Sequence, residues 1–178
     1  KLIPFSHLPI RRDYPLPVIN NEAELIYRMN ELIDDSIASI IINSDVDTDW
    51  FKVGWNGFML RRGDIWISGE DYKLISVNIQ SSVERKKRNE IIKYDKASLH
   101  SSLKDFEFPI IVLQTEKFYI RIDALKDEVY RYAVWPIDAP KNAKPELIIT
   151  NGTLEYMGSG GNHQYEFKNG EYSYTCLI

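Results

Sequence analysis

Ile110-Ile-Val-Leu-Gln114, Phe118-Tyr-Ile-Arg-Ile122 and Val129-Tyr-Arg-Tyr-Ala-Val-Trp135 follow one another with only short breaks between them. Each is four to eight residues long and rich in β-branched and aromatic side chains, so each reads as a strand. The texture continues through Glu146–Thr150, Thr153–Tyr156, Tyr165–Lys168 and Tyr172–Leu177. Asn151-Gly152 and Asn169-Gly170 lie between these runs, and Asn-Gly is a preferred pair for a tight hairpin. A loop, Asp138–Pro145, holds two prolines. The last seventy residues therefore predict an antiparallel meander, with Val134, Trp135, Ile148, Phe167 and Leu177 as candidates for burial.

Upstream the period changes. Leu25, Met29, Leu32, Ile33, Ile37 and Ile40 follow a helical spacing from Glu22 to about Ile42, with Asn20 or Asn21 as N-cap. The apolar run Ser39–Ile42 allows that helix to end early or to pass into a short second one. Lys52–Arg61 and Asp64–Ser68 read as strands joined at Arg62-Gly63, and Leu74–Ile79 as a third. Ser81-Ser-Val-Glu84 has the spacing of a capping box. A polar helix follows it to about Leu103. The opening Lys1–Pro17 carries four prolines and reads as an extended arm. The sequence thus predicts a single α+β domain over 1–178, with an arm (1–20), a helix–sheet–helix half (21–104) and a β-meander half (109–178).

Composition narrows the function classes. The 178 residues are 44% hydrophobic and 27% charged, a globular balance that excludes wholesale disorder. The formal net charge is −4, which argues against general nucleic-acid binding. No apolar run approaches the roughly 18 residues of a membrane-spanning helix. Cys176 is the only cysteine, so it reads as a small hydrophobe on the last strand, with no intramolecular disulfide.

Candidate chemistry is sparse. Asp45-Val-Asp47-Thr-Asp49 resembles the start of a calcium loop, but Trp50 and Asn56 stand where that loop needs Gly and Glu. His7, His100 and His163 have no metal-ligand spacing. Gly158-Ser-Gly-Gly161 lacks both the nucleophile-elbow and the Walker pattern. Arg85-Lys-Lys-Arg88 sits among acids and reads as a charge-laced helix face. The reading is therefore of no catalytic residue, no metal and no cofactor. Ser159, Gly160, Asn162, His163 and Tyr165 are instead expected to form a protruding binding loop between aromatic strands.

Two resemblances bear on partner and place. Tyr130-Arg-Tyr-Ala-Val-Trp135, Gly158-Ser-Gly-Gly-Asn-His163 and Tyr165-Glu-Phe-Lys-Asn-Gly170, with Val53–Leu60 upstream, resemble small exported proteins of Gram-negative bacteria. That resemblance implies a periplasmic or secreted location. Ser159-Gly160 with Tyr165 is similar to the loop that periplasmic inhibitors of C-type lysozyme present to their enzyme, although His163 stands where that family has Tyr. It implies a protein partner, with an inhibitor or immunity role by occlusion. The alternative is a small enzyme or ligand-binding protein, a cystatin-like cone with acids from Asp45, Asp47, Asp49 or Glu70.

Overall fold

The computed structural model describes residues 6–157 and 162–177. Its chain divides into two compact units, Lys1–Glu90 and Ile91–Ile178. The division falls inside a helix, ahead of the 104–109 break between the halves drawn from sequence. The fold class is α+β, with the helices toward the N-terminus and an antiparallel meander in the second unit.

In the first unit the arm is part of the core. Ile10 and Ile19 form an antiparallel bridge with hydrogen bonds of 2.9 and 3.0 Å, and both are fully buried. Asn21 caps α1 (Glu22–Leu32) by accepting from the Glu24 N–H. The helical pattern then breaks at Asp34, whose carboxylate accepts from the Ser36 and Ile37 N–H groups and starts α2 (Asp35–Ile42). The same carboxylate accepts from the Ser82 N–H and hydroxyl at 2.8 and 2.7 Å. These hydrogen bonds, led by those from Ser36 and Ser82, hold the Asp34 carboxyl well below the usual range.

The strand expected over Lys52–Arg61 is a hairpin. β1 (Trp50–Lys52) turns through a single 3₁₀ turn, Gly54–Asn56, and returns as β2 (Phe58–Leu60), so that Trp50 faces Leu60. Gly57 makes the reversal: its φ is +99° and an added Cβ would lie 2.1 Å from the Ile67 carbonyl oxygen. Gly57→Ala is therefore expected to destabilise the protein by about 2–3 kcal/mol in urea unfolding. A loss under about 0.5 kcal/mol would mean that the backbone can give at this point. β3 (Ile65–Ile67) and β4 (Leu74–Val77) complete the sheet in the order β1-β2-β3-β4. Ile10, Ile19, Leu25, Leu32 and Ile37 cluster with Leu60, Ile65 and Val77 from that sheet.

The helix α3 (Ser82–Ser98) starts as the spacing predicts, with the Glu84 N–H donating to Ser81 Oγ at 3.0 Å. Glu84 does not close a capping box. Its carboxylate is fully buried and takes the Arg12 guanidinium instead, through Nε at 2.8 Å and through Nη2. The helix also stops earlier than expected, and His100 caps a separate 3₁₀ turn, Ser101–Leu103.

The second unit is a six-stranded antiparallel sheet in the order β10-β9-β8-β7-β6-β5. Its strands are β5 (Phe108–Gln114), β6 (Phe118–Ala124), β7 (Tyr130–Pro136), β8 (Leu147–Tyr156), β9 (His163–Asn169) and β10 (Tyr172–Leu177). β7 is buried from Arg131 to Trp135 because both of its faces are covered. Ala133 and Trp135 pack with Ile92, Leu99, Leu103 and Phe106, while Tyr132 and Val134 pack with Ile122, Ile149, Tyr165 and Phe167.

Asn151-Gly152 is not a turn. Residues 147–156 form one strand that pairs first with β7 and then with β9. Gly152 is needed because an added Cβ would lie 2.2 Å from the buried Phe167 ring, so the glycine makes room for a core aromatic. Asn169-Gly170 does mark a hairpin: Gly170 and Glu171 separate β9 from β10, and Gly170 has φ +62°. Of the residues expected to be buried, Val134, Trp135 and Phe167 are, and Ile148 packs partly buried against its cluster. Leu177 is 67% exposed, since the alternation of this edge strand turns Tyr174 and Cys176 inward and Leu177 outward.

Candidate functional site

Ser159 and Gly160 lie outside the described residues. The other residues expected to bind sit toward the Tyr156–His163 end of the β8–β9 pair. Asn162 accepts the Met157 N–H through its carbonyl oxygen at 2.8 Å, and Tyr156 lies opposite His163. The His163 ring lies 6.1 Å from that of Tyr156 and 5.6 Å from that of Tyr165, which in turn meets Tyr130 at 4.8 Å. A line of rings thus runs from buried Tyr165 to Tyr156, which is 75% exposed. Burial, reinforced by Tyr130 and Tyr156, pushes the Tyr165 hydroxyl up to about 12, so it stays neutral.

The acids of the alternative reading do not converge. Asp45 Oδ1 accepts from the Asp47 and Thr48 N–H groups, and Asp49 Oδ2 accepts from the Asp45 N–H. The Glu70 side chain is exposed beyond a turn held by Ser68. Among the described residues no group of three or more His, Cys, Asp or Glu side chains could hold a metal ion. Three of the four basic residues at 85–88 have hydrogen-bond partners within the first unit: Arg85 the Gln80 carbonyl, Lys87 the Glu31 carboxylate and Arg88 the Tyr14 carbonyl. Cys176 is half-buried, and burial pushes its thiol up.

The first unit carries a different feature, an open apolar pocket of about 300 Å³ lined by Val46, Trp50, Phe58, Ile67 and Tyr72. Its origin lies in the register of the sheet. Trp50, Leu60, Ile65 and Val77 are cross-strand partners on one face, and Leu60, Ile65 and Val77 are buried in the core. Phe58 and Ile67 are paired on the same face, one step further along the strands, and remain partly exposed. The core face thus runs on into the pocket. The turn after Ser68 supplies Tyr72, whose ring stacks on Phe58 with centroids 6.1 Å apart. Tyr72 holds a left-handed backbone, φ +56°, and is 70% exposed. Trp55, on the β1–β2 connection, is 91% exposed.

Sequence reasoning missed this pocket, although a signal was present. Trp50, Phe51, Trp55, Phe58, Trp66 and Tyr72 concentrate aromatic residues in a stretch that also carries the acidic loop. Among the described residues no helix is long and apolar enough to cross a membrane. No family model, curated protein or solved structure matches the chain.

Proposed function

We propose that the protein is a non-enzymatic binding protein whose ligand is another protein, and that the pocket of the first unit is the receiving surface. The observation that carries this is the apolar core face left open at Phe58 and Ile67 and edged by Tyr72, whose ring stacks on Phe58. Concave apolar sites lined by aromatic side chains are the usual receiving surfaces for a bound group. An envelope location and an inhibitor or immunity role belong to the same proposal and rest on the sequence resemblances.

A second docking element is favoured by the rings that tie exposed Tyr156 through His163 to buried Tyr165. They stiffen the end of β8–β9, where aromatic side chains offer contact area at small entropic loss. Matched photo-crosslinking tests both elements. Tyr72, Tyr156 and Tyr94 are 70%, 75% and 78% exposed, so a benzophenone amino acid at each position samples similar solvent access. One dominant adduct from position 72, absent from position 94 on α3, supports the pocket. The same adduct from position 156 supports the second element. Equal yields from all three positions would reject both.

A further inference from the structure

A sheet ends in rows of backbone N–H and C=O groups that no neighbouring strand satisfies, and folds guard such edges against stray pairing. The described residues form two sheets with four edges, and three of these are guarded. The β4 edge takes the arm, through the Ser6–Leu74 bridge and the His7 N–H, which donates to the Leu74 carbonyl at 2.7 Å. On the opposite side of that sheet β1 is only three residues long and ends in exposed Lys52. In the second sheet β5 carries Pro109, and its register with β6 shifts between Pro109 and Ile111. Proline removes a donor and a bulge bends the strand, so both spoil that edge for pairing.

β10 has none of these devices. It runs for six residues, its register with β9 is unbroken, and Tyr172-Ser-Tyr-Thr-Cys-Leu177 holds no charge and no proline. Among the described residues its backbone pairs with β9 alone. The open row calls for another strand, since an extended backbone supplies donors and acceptors at the matching spacing. We propose that this strand is β10 of a second copy, so that two sheets join antiparallel across a two-fold axis. The strand is its own complement. Tyr174 and Cys176 face the core while Ser173, Thr175 and Leu177 are exposed, and a two-fold join that keeps these faces aligned must centre on one residue. Centred on Thr175, it sets that residue against itself, Tyr174 against Cys176 and Ser173 against Leu177. Threonine pairs and sulfur–aromatic contacts are favourable, and exposed Leu177 gains cover. No charged side chain is opposed in this register, whereas a centre at Tyr174 would set Glu171 against Leu177.

Assembly stops at two copies. A β10 edge meeting a β5 edge would leave a free edge at each end and grow into a filament, and Pro109 with its bulge bars that route. Pairing β10 with β10 uses up both open edges. Nothing in this proposal depends on the pocket of the first unit. Sedimentation velocity of the full chain tests it first. Between about 1 μM and 1 mM the mass is expected to rise from 20.8 kDa to twice that value and no further. Thr175→Lys, at an exposed position, sets two like charges against each other on the axis and is expected to weaken the dimer at least about tenfold. A monomer throughout would overturn the proposal and leave the edge to a strand of another protein. Growth past the dimer, or a dimer that Thr175→Lys does not weaken, would overturn it as well.

Single-cysteine variants read the register directly. Cys176→Ser removes the one native thiol. In that background Thr175→Cys is expected to give a disulfide-linked dimer on mild oxidation, because residues directly opposite have Cα atoms about 4.5–5.5 Å apart, within disulfide reach. Ser173→Cys lies on the same face and is also exposed. Its counterpart in the second copy stands about four residues along the strand, or about 13 Å away, so this variant should stay unlinked. Equal linking of the two variants would overturn the pairing centred on Thr175.

Discussion

Asp123→Ala is expected to lower stability by about 3–5 kcal/mol, because it takes from two buried arginines the carboxylate they share. Asp123 is fully buried on β6. One carboxylate oxygen accepts from Arg121 Nε and the other from Arg131 Nη2, each at 2.6 Å. Both guanidinium groups are nearly inaccessible, with side chains 3% and 4% exposed. Each has further support: Arg131 donates to the Leu103 and Asp105 carbonyls, and Arg121 lies 2.7 Å from Asp95 and stacks over Phe106. Those contacts hold the arginines in place after Asp123 is gone, so the charge stays buried. Urea unfolding measures the loss. A value under about 1 kcal/mol would show that the arginines escape to water. Replacing all three charged residues together by well-packed apolar ones is expected to be milder than the single change, since the one carboxylate that loses its arginine, Asp95, is 29% exposed to water.

Much of the architecture was legible because it is written in local periodicity. Alternation located the meander strands, a helical spacing found α1 and α2 together, and Asn21 was readable as a cap because its partner is three residues away. The misses share a physical cause. Asn151-Gly152 looks like a turn from its neighbours alone; only Phe167, brought in by β9, explains the glycine. Likewise the Lys52–Arg61 run alternates like one strand, and the conformational demand at Gly57 comes from the Ile67 carbonyl of a later strand. The pocket depends on which row of a sheet the helices leave uncovered, and that is set by three-dimensional register rather than by any short segment.

Glu84 is the sharpest case of a local signal outweighed by a distant one, and it carries the second large prediction. As the third residue after Ser81 it has the place of a capping-box glutamate, and loss of a capping interaction costs about 1 kcal/mol. The structure gives it another partner 72 residues away. Arg12 meets its carboxylate with two nitrogens and also donates to the Val77 and Ile79 carbonyls, with a side chain only 2% exposed. Arg28 lies 3.9 Å from the same carboxylate and is also buried. Removing the carboxylate takes from the buried Arg12 guanidinium the charge it meets directly and leaves Arg28 its 3.2 Å contact with Glu31, and Arg12 belongs to the arm that contributes Ile10 and Ile19 to the core. Glu84→Ala should therefore cost about 3–5 kcal/mol, a large share of the 5–15 kcal/mol that usually holds a domain together. Denaturant unfolding separates the two roles, because a cost near 1 kcal/mol would return Glu84 to capping alone. Arg12→Met in the Glu84→Ala background should recover part of the loss, since it removes the stranded charge while keeping apolar volume. No recovery would mean that Arg28, rather than Arg12, carries the penalty.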